Sequence, residues 1–497
     1  MSTSYSKDRG LTWNESPLPK PEGWDGMTDP ALAFDSRGNA FIVVEPIRFT
    51  SLPPPEDLQG MGMYVYKSSN GGRSWIGPTI LHANDKNDDK QWIACDNNSD
   101  SSYFGNIYVV WGAYFPLRFA RSIDHGDTWK GVGSNPSGSE IHSYTFSPEI
   151  SVGDDGTVHI VWHIPGSSTI QYIRSTNGGE SFESVIDAAS GIVDIDSRLP
   201  PDTGESFAHF PKAEFRVMTL ATGCALPDNR FVVAWADMRE GLSRIYYRVA
   251  EKGGSIWKGS NSGEPLIPWF HADKDLHHFH PQLISTWSGG TSPRDLWPPT
   301  DNDTSLGTVV GCAFYEFGPK DGKYLIDTRI AASYSLSDGF GYIHTITDKP
   351  WDPAVNAPWS HGNRNETFIG EYFGFDASYD KFFVVWTDTR TGVQELFFDE
   401  VSTKVLDILT YVIPWPPSLE DLKNWTDHTK DGGGIILIGD KIIKVFPHEP
   451  KADILNALAA LDAIEQINHP ASAKMALGIT EAIGQIVKDW SRKFDQR

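Results

Sequence analysis

The sequence predicts an all-β protein assembled by repetition of one supersecondary unit, and three observations carry that reading. An octet of the form Ser-x-Asp/Asn-x-Gly-x-Thr/Ser-Trp/Phe occurs four times, at residues 6–13, 68–75, 122–129 and 175–182. Successive copies start 62, 54 and 53 residues apart, a period that belongs to repeat architectures. The last three copies follow short Val/Ile/Phe/Trp runs opened by a Gly/Asn turn: Phe41 to Val44, Ile107 to Trp111, and Val158 to Trp162.

Each octet position has a physical task. Asp8, Asn70, Asp124 and Asn177 can accept hydrogen bonds from the backbone of a tight turn. Gly10, Gly72, Gly126 and Gly179 supply a positive φ that a Cβ would resist. The flanking Ser and Thr hydroxyls close the turn, and Trp or Phe anchors it in a core. Two later runs, Phe231 to Trp235 and Phe382 to Trp386, keep the strand signal without a good octet.

The octet resembles the Asp-box, or bacterial neuraminidase repeat, which joins the third and fourth strands of blades in sialidase-like β-propellers. The resemblance covers about the first 400 residues. It implies a six-bladed β-propeller of four-stranded blades, at about 29–84, 89–134, 143–190, 213–262, 278–342 and 366–402. The fourth blade keeps only Gly254 and Trp257 of its octet. The fifth carries an insertion over 288–303 and a degenerate octet at 335–339. The sixth has none of its own, so the octet at 6–13 is expected to serve it, with the residues after it adding the outer strand and closing the ring. A seven-bladed ring is the rival count. The chain begins almost inside its first octet; either 1–19 completes the last blade or an upstream segment, a signal included, has been lost.

The propeller is expected over 1–402, a linker over 403–433 that includes Pro414, Pro416 and Pro417, and an appendage over 434–497. The appendage reads as a β-hairpin turning at Gly439-Asp440. Two helices then follow, with Ile454, Leu458, Leu461 and Ile464 on one stripe and Met475, Ile479, Ile483, Ile486 and Trp490 on the other. These stripes form a helical hairpin packed on itself or on the propeller; self-association through them is the alternative.

A net charge of −23 disfavours binding to a phosphate backbone, so nucleic acid is not an expected partner. No apolar run approaches 18 residues, so no transmembrane span is expected. Cys95, Cys224 and Cys312 sit in strand-like contexts and read as small buried residues. Sequons at Asn14, Asn97, Asn302, Asn365 and Asn424 permit secretion without showing it; the compartment is left open. There is no phosphate-cradling glycine loop and no nucleophile elbow. No cofactor is expected.

In the fold that the resemblance implies, loops at the starts of inner strands and the ends of second strands line the axial pocket, while the octets lie on the opposite face. Inner-strand starts offer Asp29, Asp89 with Trp92, Glu149, Arg216, His280 with Gln282, and Glu371 with Tyr372. Second-strand ends offer Glu45 with Arg48, Tyr114, His163, Asp237 with Arg239, Glu316, and Asp388 with Arg390. Carboxyls, arginines and aromatic walls suit glycoside chemistry, in which one acid protonates the leaving oxygen and a second group attacks or activates water. In sialidases the nucleophile is a tyrosine assisted by a glutamate, and three arginines grip the substrate carboxylate, as guanidinium forks do.

Glu371, Tyr372 and Asp29 are therefore the expected catalytic groups. Arg48, Trp92, Glu149, Arg216, Asp237, Arg239, His280 and Arg390 are the expected substrate contacts. The sequence departs from the sialidase pattern where the Phe/Tyr-Arg-Ile-Pro motif belongs, reading Glu45-Pro46-Ile47-Arg48-Phe49. Trp235-x-Asp237-x-Arg239 and Trp386-x-Asp388-x-Arg390 share one pattern in two blades, which suits a bracing pair as well as a clamp. Glu371 and Tyr372, flanked by Gly370 and Gly374, suit a structural as well as a catalytic role. His278 and His280 would share a strand face as a two-His metal arm, but no further ligand stands at zinc-like spacing and no metal is assigned. The expected function is action on a glycan through the axial pocket. A lectin-like propeller, or an enzyme for a non-sugar small molecule, is the alternative.

Overall fold

The computed structural model describes residues 1–403 apart from 9, 50–57, 84–87, 200–207, 228, 268–274, 287–307, 334–335, 337–338, 341, 357–358, 361–362 and 379–380, together with 410–413, 434–438 and 441–445. It is a six-bladed β-propeller of antiparallel sheets. The first blade orders Gly26–Phe34, Ala40–Phe49, Leu58–Ser68 and Ile76–Ala83 from axis to rim. The second runs Trp92–Cys95, Ile107–Trp111, Ala113–Ser122 and Ser139–Phe146. The third runs Glu149–Val152, Val158–His163, Thr169–Ser175 and Ile186–Ser190.

In the fourth blade Ala221–Leu226, Arg230–Asp237 and Arg244–Glu251 are followed by an outer edge split into Ile256–Trp257 and Glu264–Pro265. The fifth blade runs His277–Ser285, Val310–Lys320, Lys323–Ser333 and Tyr342–Thr345. The sixth has three strands among the described residues, Gly374–Ala377, Lys381–Asp388 and Glu395–Ser402. The apolar second strands form the walls between blades. Phe41 and Val43 pack with Ile107, Val109 and Trp111 of the next blade. Tyr108 and Val110 face onward against Ile160 and Trp162. Both sheet faces are thus buried, which is why these strands read as near-continuous apolar runs.

The octets are closed turns. Ser122 Oγ accepts from Gly126 N at 2.8 Å, and Asp124 Oδ1 accepts from Thr128 N at 2.8 Å. Asn70 and Asn177 use the amide oxygen in the same way, on Ser74 N at 3.1 Å and Ser181 N at 3.0 Å. Each octet glycine has a positive φ, and three are pressed against an aromatic ring of the preceding sheet. A Cβ on Gly126 would meet Phe41 Cε1 at 2.3 Å, one on Gly179 would meet Phe119 Cζ at 2.6 Å, and one on Gly10 would meet Phe398 Cε1 at 2.7 Å.

Closure of the ring differs from the expectation. Ser2–Tyr5 and Asn14–Pro17, the strands on either side of the first octet, pair with each other and not with the sixth blade. This hairpin seals the seam with side chains. Trp13 meets Phe398 of the sixth blade edge-on at 5.4 Å between ring centroids. On the other side Trp75 Nε1 donates to Thr3 Oγ1 at 3.0 Å. Leu18 and Trp24 then cover Ala40, Ile42 and Val44, the face of the first blade that points away from the second. Glu395–Ser402 is the outermost strand of the sixth blade among the described residues, so no strand is shared across the seam.

At the other end of the chain, Gly434–Ile438 pairs antiparallel with Lys441–Val445, the expected hairpin. Thr410–Ile413, inside the stretch read as linker, pairs with it in parallel. The helical stripes over 454–490 and the insertion over 288–303 lie outside the described residues. Among the described residues the helix is the single turn Ile195–Arg198, and no helix is long and apolar enough to cross a membrane.

Replacing Gly126 by Ala should lower stability by about 2–4 kcal/mol, combining left-handed strain with displacement of Phe41. Thermal unfolding measures it; a midpoint equal to the parent's would show that the octet turn does not pack as described.

Candidate functional site

Strand pairing places the octets and the axial residues at opposite ends of each blade. Ala40, at the start of a second strand, pairs with Ser68, the first residue of an octet, whereas Glu45, near the other end, pairs with Thr28. The residues at this second end converge on the axis. In four blades the chain enters the inner strand through a non-glycine residue of positive φ: Asp29 at 48°, Lys90 at 63°, Ser147 at 48° and His280 at 46°. At Asp29 and His280 the strand register slips as well. Such conformations cost about 1–3 kcal/mol each and cluster where side chains must be re-aimed.

The centre is an ion knot that ties three blades together. Glu371, leading into the sixth blade, is ion-paired with Lys90 of the second, and its Oε1 lies 3.0 Å from Nε of Arg216, which leads into the fourth. All three side chains are buried. Burial alone would raise the Glu371 carboxyl, but Lys90 and Arg216 outweigh it and hold it down at about 2. Burial would likewise lower Lys90, yet Glu371, Asp89 and Asp29 raise it above its ordinary value. Aromatic rings wall in the charges: Lys90 Nζ lies 5.1 Å from the centroid of Tyr372 and 5.7 Å from that of Phe146, and Arg216 sits 4.1 Å over Phe368.

Beside the knot, Asp29, Glu45 and Asp89 place one carboxyl oxygen each within 4.8 Å of one another. Burial and the charges of Asp89 and Asp29 push Glu45 well above the carboxylate range, and its Oε2 is buried without a partner. Asp89 is raised too, by burial first and despite Lys90. Like charges this close oppose one another's ionisation, which adds to burial in raising Glu45 and Asp89. Three oxygen ligands of this kind also have the chemistry of a hard divalent-cation site. The Tyr372 hydroxyl is buried and unpartnered, and is raised by burial and by Asp29, Asp89, Glu371 and Glu45. His280 is buried with both ring nitrogens unpartnered; burial lowers it to about 4, so it stands neutral.

Of the expected residues, Asp29, Trp92, Arg216, His280, Glu371 and Tyr372 come together here. Trp92 lies 6.4 Å from Tyr372 between ring centroids. Glu149 belongs to a separate buried network: it accepts from Gly223 N and Gln282 Nε2, both at 3.2 Å, and burial raises it to about 8. Arg48 lies apart, donating to Gly23 O at 2.7 Å and covering Trp24. Asp237 accepts from Trp235 Nε1 at 3.2 Å and pairs with Arg239, which stacks 4.0 Å over Tyr246. Asp388 repeats this with Trp386 and Arg390. The Trp-x-Asp-x-Arg pattern is therefore a brace within each blade.

His278 does not share a site with His280: its Nε2 lies 3.1 Å from Glu316, in a network with Arg329. Lys90 is the central residue that the sequence reading passed over. A cavity of about 300 Å³ is lined by Lys212, Phe215, Lys323, Tyr324 and Asp352 among others, and not by the three residues of the ion knot.

No family model matches the chain, and no curated protein matches it. Among solved structures it is similar to a protein of unknown function from Dyadobacter fermentans, at 17% identity and a TM-score of 0.39, over 67% of this chain and 83% of that one. It is similar to the NanB sialidase from Streptococcus pneumoniae at 12% identity and 0.35, over 65% and 61%. It is similar to an endo-arabinase from Bacteroides thetaiotaomicron at 12% and 0.32, over 63% and 94%. Likenesses this distant carry no information about chemistry.

Glu371→Gln would leave Lys90 and Arg216 buried without a counter-charge, and should cost about 3–5 kcal/mol in a denaturant titration. Because the folded carboxyl titrates near 2 and the free one near 4.5, its contribution is complete above 4.5 and lost as pH falls toward 2. The parent should therefore lose stability across that window more steeply than the variant; equal slopes would contradict the ionised knot.

Proposed function

We propose that the protein is a carbohydrate-active enzyme that cleaves a glycosidic bond at this axial cluster. The observation that carries the reading is Glu45: a buried carboxyl, one oxygen unpartnered, pushed well above the carboxylate range beside two further carboxyls and an unpartnered tyrosine hydroxyl. A carboxylic acid that keeps its proton at neutral pH is what departure of an alcohol requires. The octets support the same reading, since they resemble those of the sialidase superfamily.

In the proposed reaction Glu45 gives its proton to the bridging oxygen as the bond to the anomeric carbon breaks, and that oxygen keeps the electron pair. Asp29 is the second carboxyl and bonds to the anomeric carbon. Water then displaces it, returning its proton to Glu45. The close spacing of the oxygens corresponds to the retaining class, in which the two carboxyls stand about 5–5.5 Å apart. The unpartnered Tyr372 hydroxyl is a free donor for the bound sugar, and Trp92 and Tyr372 offer ring faces to it. Glu371, expected from the sequence as a reacting group, instead positions Lys90 and Arg216; being fully ionised it has no proton to give.

A screen of aryl glycosides, a sialoside included, tests this. The parent should turn over at least one, with the alkaline limb of the profile displaced upward, because activity is lost as Glu45 ionises. Glu45→Gln should lower kcat by about 10²–10⁴ on substrates with poor leaving groups. Proton NMR of the first product should show retention. Absence of turnover throughout, or a Glu45→Gln variant as active as the parent, would overturn the proposal.

A further inference from the structure

Several aromatic side chains stand exposed on the second blade, linked to the axial cluster through Phe146. On the second blade, where Ala113–Ser122 runs against Ser139–Phe146, Tyr114 is 40% exposed and Phe115 47% exposed, and Tyr144 is exposed as well. Isolated exposed apolar side chains are ordinary, but three at one hairpin end form a patch. Tyr114 is pinned there. It has φ of 62°, and its neighbour Gly112 is strapped between Asp89 O and Ser147 N at 2.9 and 3.1 Å. A Cβ on Gly112 would fall 2.3 Å from Thr145, so the backbone is held against the opposite strand.

From this patch the aromatic surface continues to the axis. Tyr114 lies 4.6 Å from Phe146 between centroids, and Phe146 lies 5.7 Å from Lys90 Nζ. A carboxyl borders the patch on its far side. Asp196, in the single helical turn between the third and fourth blades, has a buried Oδ2 with no partner, and after burial its charge and Tyr144 raise the Tyr114 hydroxyl. A half-exposed ring beside an unfilled carboxyl acceptor is the chemistry that holds a sugar: the ring takes the C–H face and the carboxylate takes a hydroxyl hydrogen bond.

We propose that Tyr114, Tyr144 and Asp196 form a second sugar-binding subsite, so that the glycan bound is an oligosaccharide reaching from the axial cluster over the second blade. This rests on the axial site acting on a glycan. It makes the protein selective for chain length, with the terminal or cleaved residue held at the cluster and the neighbouring residue on Tyr114.

The test compares an aryl monosaccharide with the aryl trisaccharide of the same terminal sugar. Tyr114→Ala should lower the ratio of kcat/KM for the trisaccharide over that for the monosaccharide about tenfold, equivalent to about 1.4 kcal/mol. Tyr114→Phe should keep most of the ratio, and Asp196→Asn should lower it. An unchanged ratio in Tyr114→Ala, or an equal fall on both substrates, would overturn the subsite while leaving the axial reaction standing. If no aryl glycoside is turned over, the axial reaction falls instead. Calorimetric titration with cello-, xylo-, chito- and arabino-tetraose then decides the subsite: binding by the parent that Tyr114→Ala loses supports it, and no binding overturns it.

Discussion

Everything at the centre of this propeller depends on one buried carboxylate. Glu371 stands between Lys90 and Arg216, and those three residues come from the sixth, second and fourth blades. Buried ion pairs are seldom a net source of stability, since desolvation offsets the attraction. Their value here is geometric. The pair of cations keeps Glu371 ionised, while Glu45 and Asp89 beside it are raised, by burial first and against the pull of Lys90.

The repeat and the site divide the labour between the two ends of each blade. Octet turns fix where third strands end, through hydrogen bonds within eight residues and a glycine pressed onto the preceding sheet. At the opposite end the chain enters inner strands through strained residues, and it is there that charged side chains reach the axis. The strain is tolerated because apolar second strands, buried on both faces, over-determine the position of every inner strand.

These two ends were unequally legible in the sequence. The octets are local, so their geometry follows from residue type and spacing, and the six blades followed from them. Asp29, Arg216, His280, Glu371 and Tyr372 were expected at the axis from the strand order that the octets' resemblance implies, and the structure brings them together. Lys90 was passed over although its neighbour Asp89 was among the candidates; its burial follows from pairing with Glu371, 281 positions away, which leaves no local signal. Glu149 lies instead in its own buried network, where Gly223 N and Gln282 Nε2 both donate to its Oε2, a pairing no spacing encodes. The Trp-x-Asp-x-Arg motif repeated because it is a brace. Ring closure was misjudged for a similar reason: the pattern identified the N-terminal strands but could not show that they pair with each other and seal the seam through Trp13, Leu18 and Trp24.

The central claim is that burial beside Asp89 and Asp29 leaves Glu45 a neutral acid at neutral pH. Infrared difference spectroscopy of the parent against Glu45→Gln reads this directly. The account predicts loss of a protonated-carboxyl C=O band in the variant at pH 7, with that band in the parent bleaching only on further alkalinisation. Loss of carboxylate stretching bands instead, with no acid band present, would show Glu45 ionised and contradict it.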